Sequence, residues 1–314
     1  MSYNMKLSIV IPVYNEEDNI PVLYKDLSAL SDFVQSYELI FIDDGSRDGS
    51  FEKLKELADK DKAVKAIRLK KNYGQTTALS AGFNQAEGEV IITLDADLQN
   101  NPKDIPRLLD KMNEGYDVVS GWRKNRKDPL SKTIPSRIAN WIISLVIGID
   151  IHDFGCTLKA YRQDIIKNLK LYGEMHRFLP AYAYWTGAKI TEVEVNHHPR
   201  RFGKSKYGLG RTPSVIVDLI TAKFLIAFST KPGHIFGSLG LFFIILSAIL
   251  GILISIRKFY FGGEWVSPLI FIITILFITG IQFILMGLLG EISVRTYYES
   301  QNKNPYLISQ RINC

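Results

Sequence analysis

The last third of the chain most limits how it can fold. From Ile235 to Ile256 run 22 residues without a charge, IFGSLGLFFIILSAILGILISI, and from Trp265 to Gly290 another 26, WVSPLIFIITILFITGIQFILMGLLG. At a rise of ~1.5 Å per residue, either run as a helix crosses a hydrocarbon core ~30 Å thick. A pair of buried core helices fits less well, because such helices rarely exceed about 20 residues with no polar face. The connection between the runs, RKFYFGGEW, is short, so they form a hairpin whose ends share one side. Arg257 and Lys258 fall in the hairpin loop. Lys223, Lys231, Arg295, Lys303 and Arg311 lie outside it, an excess that favours a cytoplasmic main domain.

The first ~200 residues read as alternating strands and helices, from KLSIVIPVYN and NEEDNIPVLYKDLSAL through GEVIITLDADL, PKDIPRLLDKMNEG and YDVVSGWR. Strands that alternate with helices build βαβ units and a mainly parallel sheet. Ligands in such sheets bind at the carboxyl ends of the strands. Asn15-Glu16, Asp43-Asp44 and Asp95-Asp97 all fall at predicted strand ends, so three acidic or polar clusters meet along one edge. No GxGxxG or GxxxxGK[ST] pattern is present, which counts against dinucleotide and P-loop sites. In GEVIITLDADLQNNP, strand alternation puts Asp95 and Asp97 on one side, where like charges repel and call for a cation between them.

The expected order is therefore an α/β domain over residues 1–211 and a juxtamembrane interfacial helix over 212–232. Transmembrane helices follow at 233–258 and 265–290, then a cytoplasmic tail at 291–314. The formal net charge of +6 suits an anionic partner. Nucleic acid is disfavoured, because no recognition motif or aromatic platform accompanies the charge. Cys156 and Cys314 are the two cysteines and no ligand spacing surrounds them, so a zinc site or disulfide scaffold is not expected. The apolar run Leu7 to Val13 is short and reads as a strand, not a signal peptide. An anchor of two spans is slender, which leaves room for a homo-oligomer.

Taken in order, SIVIPVYNEEDNI, FIDDGSRDGS, NYGQTTALSAG, LDADLQNNP, DFGCTLKAYR and RRFGKSKYG, with two terminal spans, carry a resemblance that covers nearly the whole chain. The chain resembles the GT-A fold of family 2 glycosyltransferases, and most of all the polyprenyl-phosphate type: dolichyl-phosphate mannose synthases and undecaprenyl-phosphate sugar transferases. The QxxRW motif of the processive relatives is missing, which disfavours a polymer synthase. The resemblance implies an inverting transfer of a hexose from a nucleotide-diphosphate sugar to a polyprenyl phosphate at the inner membrane, for cell-envelope glycan modification. UDP-glucose and undecaprenyl phosphate are the preferred pair, with GDP-mannose and UDP-amino sugars compatible. A membrane-anchored nucleotide-sugar-binding module without turnover is the alternative.

Residue by residue, the resemblance implies that Asp95 and Asp97 form the metal-binding motif, with Gln99 as a further ligand. Mg²⁺ or Mn²⁺ held there suits hard carboxylate oxygens and neutralises a departing diphosphate. Pro12, Tyr14, Asn15, Glu16, Asp44 and Asp95 are expected to hold the nucleotide sugar. Asp44 could instead build an Asx turn with Gly45, Glu16 could be a first-turn helix residue, and the aspartate pair could cap the helix after Pro102. Asp153, with Asp97 and Arg200, is expected nearest the chemistry. An acceptor phosphate is already ionised at neutral pH, so Asp153 serves as an orienting group as readily as a base. Two basic runs, GWRKNRKDPLSKTIPSR and NHHPRRFGKSKYGLGRT, lie beside apolar segments that read as interfacial helices. Arg123, Arg137, Arg200 and Lys206 are expected to grip the acceptor phosphate, although such runs also suit a solvated face.

Overall fold

A computed structural model describes residues 3–124, 148–167, 175–200, 232–262, 268–300 and 306–314, together with positions 140, 144 and 169. The chain divides into two compact units: Met1–Ala222 with Asn304–Cys314, and Lys223–Lys303.

In the first unit, the parallel strands β1 (Tyr3–Val13), β2 (Val34–Asp43), β3 (Val64–Leu69) and β4 (Val90–Thr93) alternate with the helices α1 (Ile20–Ser28), α2 (Ser50–Lys60) and α3 (Gln75–Gln85). These strands are rich in Val, Ile and Leu because both faces are covered. Alternate residues of β1 go to opposite faces: Leu7, Ile9, Ile11 and Val13 join one core and Val10 the other. The chain continues through α4 (Ile105–Asn113), β5 (Val118–Trp122), β6 (Lys159–Arg162), α5 (Gln163–Lys167), α6 (Leu179–Trp185) and β7 (Ile190–Glu194). One eight-stranded sheet results, in the order β7-β5-β6-β4-β1-β2-β3-β8, with β8 at Ile308–Ile312.

Strand β6 runs antiparallel to both neighbours, β4 and β5. Its first residue, Lys159, pairs with Thr93, the last residue of β4. The loop before β6, which carries Asp153, therefore opens on the edge where β1, β2, β4 and β5 end.

The mainly parallel α/β sheet follows the expected class, and three local expectations change. Strand β4 stops at Thr93, so Asp95 and Asp97 lie in a turn and not on the strand. Leu98 in that turn takes a left-handed φ of 60° while its side chain stays buried. Helix α1 begins at Ile20 and not near Glu16, because Asn15 has φ 52° and residues 15–17 hydrogen-bond across to the loop after β2. The expected tail contains strand β8, which pairs antiparallel with β3 and closes that edge of the sheet. The interfacial helix expected at 212–232 lies outside the described residues, apart from Pro232, which opens the next helix.

The second unit is a helical hairpin of α7 (Pro232–Phe261) and α8 (Pro268–Ser300). Both are long and apolar enough to cross a membrane, over Phe236–Tyr260 and Pro268–Gly290. Only 11% and 6% of those windows are buried, which removes the reading as core helices of a soluble protein. The two helices meet at glycines. A Cβ at Gly240 would lie 2.6 Å from the carbonyl oxygen of Gly280, and one at Gly280 would lie 2.8 Å from that of Gly240. Such close backbone approach is how helices pack in lipid, where burying apolar area supplies no driving force.

Candidate active site

Two loops build one half of the site. After β1, the Asn15 amide donates to Ser46 Oγ at 2.9 Å, and Asn15 Oδ1 accepts from the Arg47 amide at 2.8 Å. The Glu16 amide donates to Ser50 Oγ at 2.8 Å. The segment Pro12 to Glu16 is thus stitched to the loop after β2. Asp44, in that second loop, accepts from the amides of Tyr73 and Gly74 at 2.7 and 2.8 Å. Burial pushes its carboxyl up to about 6, against the pull of those two amides. Gly45 beside it has φ 70°, and a Cβ there would lie 2.5 Å from the Lys71 carbonyl carbon. Only glycine lets the loops after β2 and β3 close on each other this tightly. Asp43 is buried against Arg68 at 3.2 Å and accepts from the Ser46 amide, so it shapes the turn.

The turn after β4 brings in the aspartate pair. Asp95 Oδ1 accepts from Gln75 Nε2 at 2.7 Å. Asp97 Oδ2 accepts from Arg200 Nη2 at 2.9 Å, and Arg200 Nη1 lies 3.8 Å from Glu16 Oε1. The cation that the aspartate pair calls for is supplied in part by Arg200. Burial, and after it the charge of Asp97, holds the Asp95 carboxyl well above the usual carboxylate range. Gln99 enters through its main chain: its amide donates to Asp97 Oδ1 at 3.2 Å and its carbonyl accepts from the His198 amide at 2.8 Å.

The loop before β6 brings Asp153, which is 4% exposed. Arg123 grips it with two charged donors, Nε at 2.7 Å and Nη2 at 2.9 Å, and the Gly155 amide donates to Oδ1 at 3.1 Å. This bidentate fork pairs Asp153 with the Arg123 guanidinium.

The structure thus gathers Asn15, Glu16, Asp44, Asp95, Asp97, Gln99, Arg123, Asp153 and Arg200 along one sheet edge. Arg137 and Lys206 lie outside the described residues. Sequence reasoning missed three contributors. Gln75 fixes Asp95. Asp104, 2% exposed, accepts from the Asn196 amide and its side chain at 2.7 and 2.9 Å and so fixes the segment that ends in Arg200. Lys159 is buried beneath the site. The Gln75 and Asp104 contacts span 20 and 92 positions of sequence, where no local pattern reports them.

Residues 8–170 match the family model described as Glycosyl transferase family 2. The chain belongs to that family. Among its curated relatives in the family, dodecaprenyl-phosphate galacturonate synthase from Rhizobium johnstonii is 39% identical, with 98% of this chain and 93% of the relative covered. Undecaprenyl-phosphate 4-deoxy-4-formamido-L-arabinose transferase from Yersinia pestis is 40% identical, covering 97% of this chain and 93% of the relative. Among solved structures, glucosyl-3-phosphoglycerate synthase from Mycobacterium tuberculosis, in complex with Mn²⁺, UDP and phosphoglyceric acid, superposes with a TM-score of 0.55. It is 17% identical and covers 70% of this chain and 78% of that one. That likeness fixes the shared GT-A fold of the family 2 enzymes.

The donor set fits a hard divalent cation shared with a ligand. Among the described residues no three His, Cys, Asp or Glu side chains converge. Two carboxylates of one turn are the partial shell that Mg²⁺-type cations take when a bound ligand supplies further oxygens.

Proposed function

We propose that this family 2 enzyme is a membrane-anchored inverting glycosyltransferase that moves a sugar from a nucleotide diphosphate to a polyprenyl phosphate. The observation that carries the reading is the meeting, on one sheet edge, of the Asp95–Asp97 turn, Arg200 and the Arg123–Asp153 pair, in a chain that also holds two membrane-length helices. The two curated relatives, named for transfer to dodecaprenyl and undecaprenyl phosphate, support the acceptor class.

An acceptor phosphate oxygen attacks the anomeric carbon in line. The new bond joins that oxygen to the sugar, the bond to the diphosphate breaks, and the nucleoside diphosphate leaves with the electron pair. Asp95 and Asp97 would hold Mg²⁺ or Mn²⁺, which would supply charge neutralisation for that leaving group. Pro12, Tyr14, Asn15, Glu16 and the loop organised by Asp44 receive the nucleotide. Arg200, set on Asp97 by the anchored 196–200 segment, faces the phosphates. Arg123, held by Asp153, meets the acceptor phosphate together with Arg137 and Lys206. The catalytic domain faces the cytoplasm at the inner membrane.

For the donor, the names of these relatives move the preference from glucose to a sugar altered on its ring: a uronic acid or a 4-formamido pentose, carried on UDP. A donor panel tests this: UDP-glucose, UDP-galacturonate, the UDP-4-formamido pentose and GDP-mannose, each with undecaprenyl phosphate in detergent and Mg²⁺ or Mn²⁺. Transfer from one of the two altered sugars is expected. Nucleotide binding without transfer from any donor would turn the reading to a binding module.

A further inference from the structure

The Arg123–Asp153 fork fixes two side chains to each other, but Arg123 stands one residue past the end of β5 and Asp153 stands in a loop. A second set of contacts ties that pair to the sheet. Successive residues of the two segments meet in turn, Trp122 with His152 and then Arg123 with Asp153. The rings of Trp122 and His152 stack, with centroids 4.4 Å apart and planes 19° from parallel. Glu192 of β7 takes His152 twice: one carboxylate oxygen accepts from the His152 amide at 2.8 Å, and the other pairs with Nδ1 of its ring. Glu192 lies in register with Ser120 of β5, two residues before Trp122. On the same face of β7, Glu194 pairs with Lys124, whose ammonium lies 5.0 Å from the Trp122 ring centroid. The Glu192 side chain is 13% exposed and that of Glu194 51%, so Glu192 is the less screened and stronger hold.

We propose that Glu192 and His152 are positioning residues for the acceptor. Through the stack on Trp122 they set where the Asp153 loop holds Arg123, and so where its guanidinium meets the acceptor phosphate. Both act through Arg123 and not on the substrate itself. A guanidinium grips phosphate through a planar fork, so its direction matters as much as its charge. Misplacing such a group by about 1 Å costs up to about 100-fold. The inference rests on the reading of Arg123 as a ligand of the acceptor phosphate.

The test uses full-length protein in detergent and reads the KM for undecaprenyl phosphate, with the donor that the panel selects, beside donor KM, UDP binding and thermal melting. An Arg123→Ala variant with wild-type acceptor KM would refute the reading of Arg123 and, with it, this inference. Given a raised KM in Arg123→Ala, Glu192→Leu is expected to raise the acceptor KM by about tenfold, while donor KM and UDP affinity stay within about twofold. Glu192→Gln still accepts the His152 amide and stays within about threefold of wild type. In the Arg123→Ala background, Glu192→Leu adds less than about twofold, because its effect passes through the missing guanidinium. An acceptor KM in Glu192→Leu within about twofold of wild type would overturn the proposal. So would a tenfold loss that persists without Arg123, or an equal loss in donor KM and UDP affinity, which would make Glu192 a general support of the fold. Should Glu192→Leu fail to fold, His152→Ala, which removes the ring and keeps the backbone bond, decides by the same criteria.

Discussion

At the scale of single residues, Asp95 sets the pH behaviour. Its carboxyl is raised above the ordinary range, by burial first and by Asp97 second. A metal site must lose that proton to fill, so Mn²⁺ affinity in the presence of UDP should rise with pH through the raised value. Below it, affinity falls by about tenfold per pH unit for one proton released. The stability sign is opposite. Without metal, a carboxyl raised above its unfolded value contributes stability that is complete below the unfolded pKa and is lost as pH rises through the folded one. A titration from acid to mildly basic pH checks both, and a flat Mn²⁺ profile would remove Asp95 from the ligand set. Asp97→Asn is expected to lower kcat/KM by about 100-fold, near 3 kcal/mol. Asp153 acts through Arg123 in this structure. Asp153→Asn combined with Arg123→Ala should therefore be no worse than Arg123→Ala alone, and kinetics of the single and double variants measure that coupling. A further loss in the double variant would restore Asp153 as a base.

At the scale of elements, what was legible follows what is local. Helix α4 occupies Ile105–Asn113 within the expected PKDIPRLLDKMNEG, since its apolar spacing and leading proline lie within a dozen residues. The strand ends carry the polar clusters because side-chain chemistry at an edge does not depend on distant packing. The end of β4 was not legible: the chain leaves the sheet after Thr93 into a turn in which buried Leu98 takes a left-handed φ. Strand β8 was not legible either: ISQRI is mostly polar, and only the open edge of β3 makes it a strand. That strand reaches toward the donor half of the site. The Lys70 amide donates to the Leu307 carbonyl at 2.9 Å, and Asn84 Nδ2 donates to the Tyr306 hydroxyl at 2.9 Å. Lys70 lies three residues before Tyr73, whose amide with that of Gly74 organises Asp44. Deleting 304–314 should lower the melting temperature by about 3 °C, near 1 kcal/mol for a unit of this size, and weaken UDP binding. Calorimetry and a UDP titration check this, and wild-type UDP affinity in a destabilised protein would confine β8 to stability.

At the scale of the whole molecule, the chain leaves the sheet unit after Ala222 and returns to it at Asn304, so the membrane hairpin is an insertion between Ala222 and the last strand. A truncation before the hairpin therefore does two things at once: it removes the anchor and it strips β8 from the edge of β3. The two roles separate if residues 232–303 are excised and a flexible Gly/Ser linker joins Lys231 to Asn304, which leaves every strand in place. The donor loops depend on contacts within the sheet unit, so this variant should bind UDP like wild type. It should also transfer sugar to a short, water-soluble prenyl phosphate, because the residues proposed to grip the phosphate remain. Transfer to undecaprenyl phosphate in vesicles should fall by about 100-fold, since the helices no longer hold the protein at the depth where the long-chain phosphate lies. Equal losses on the short and long acceptors, with UDP binding intact, would mean that the hairpin builds the acceptor site itself and does more than deliver the enzyme to its surface.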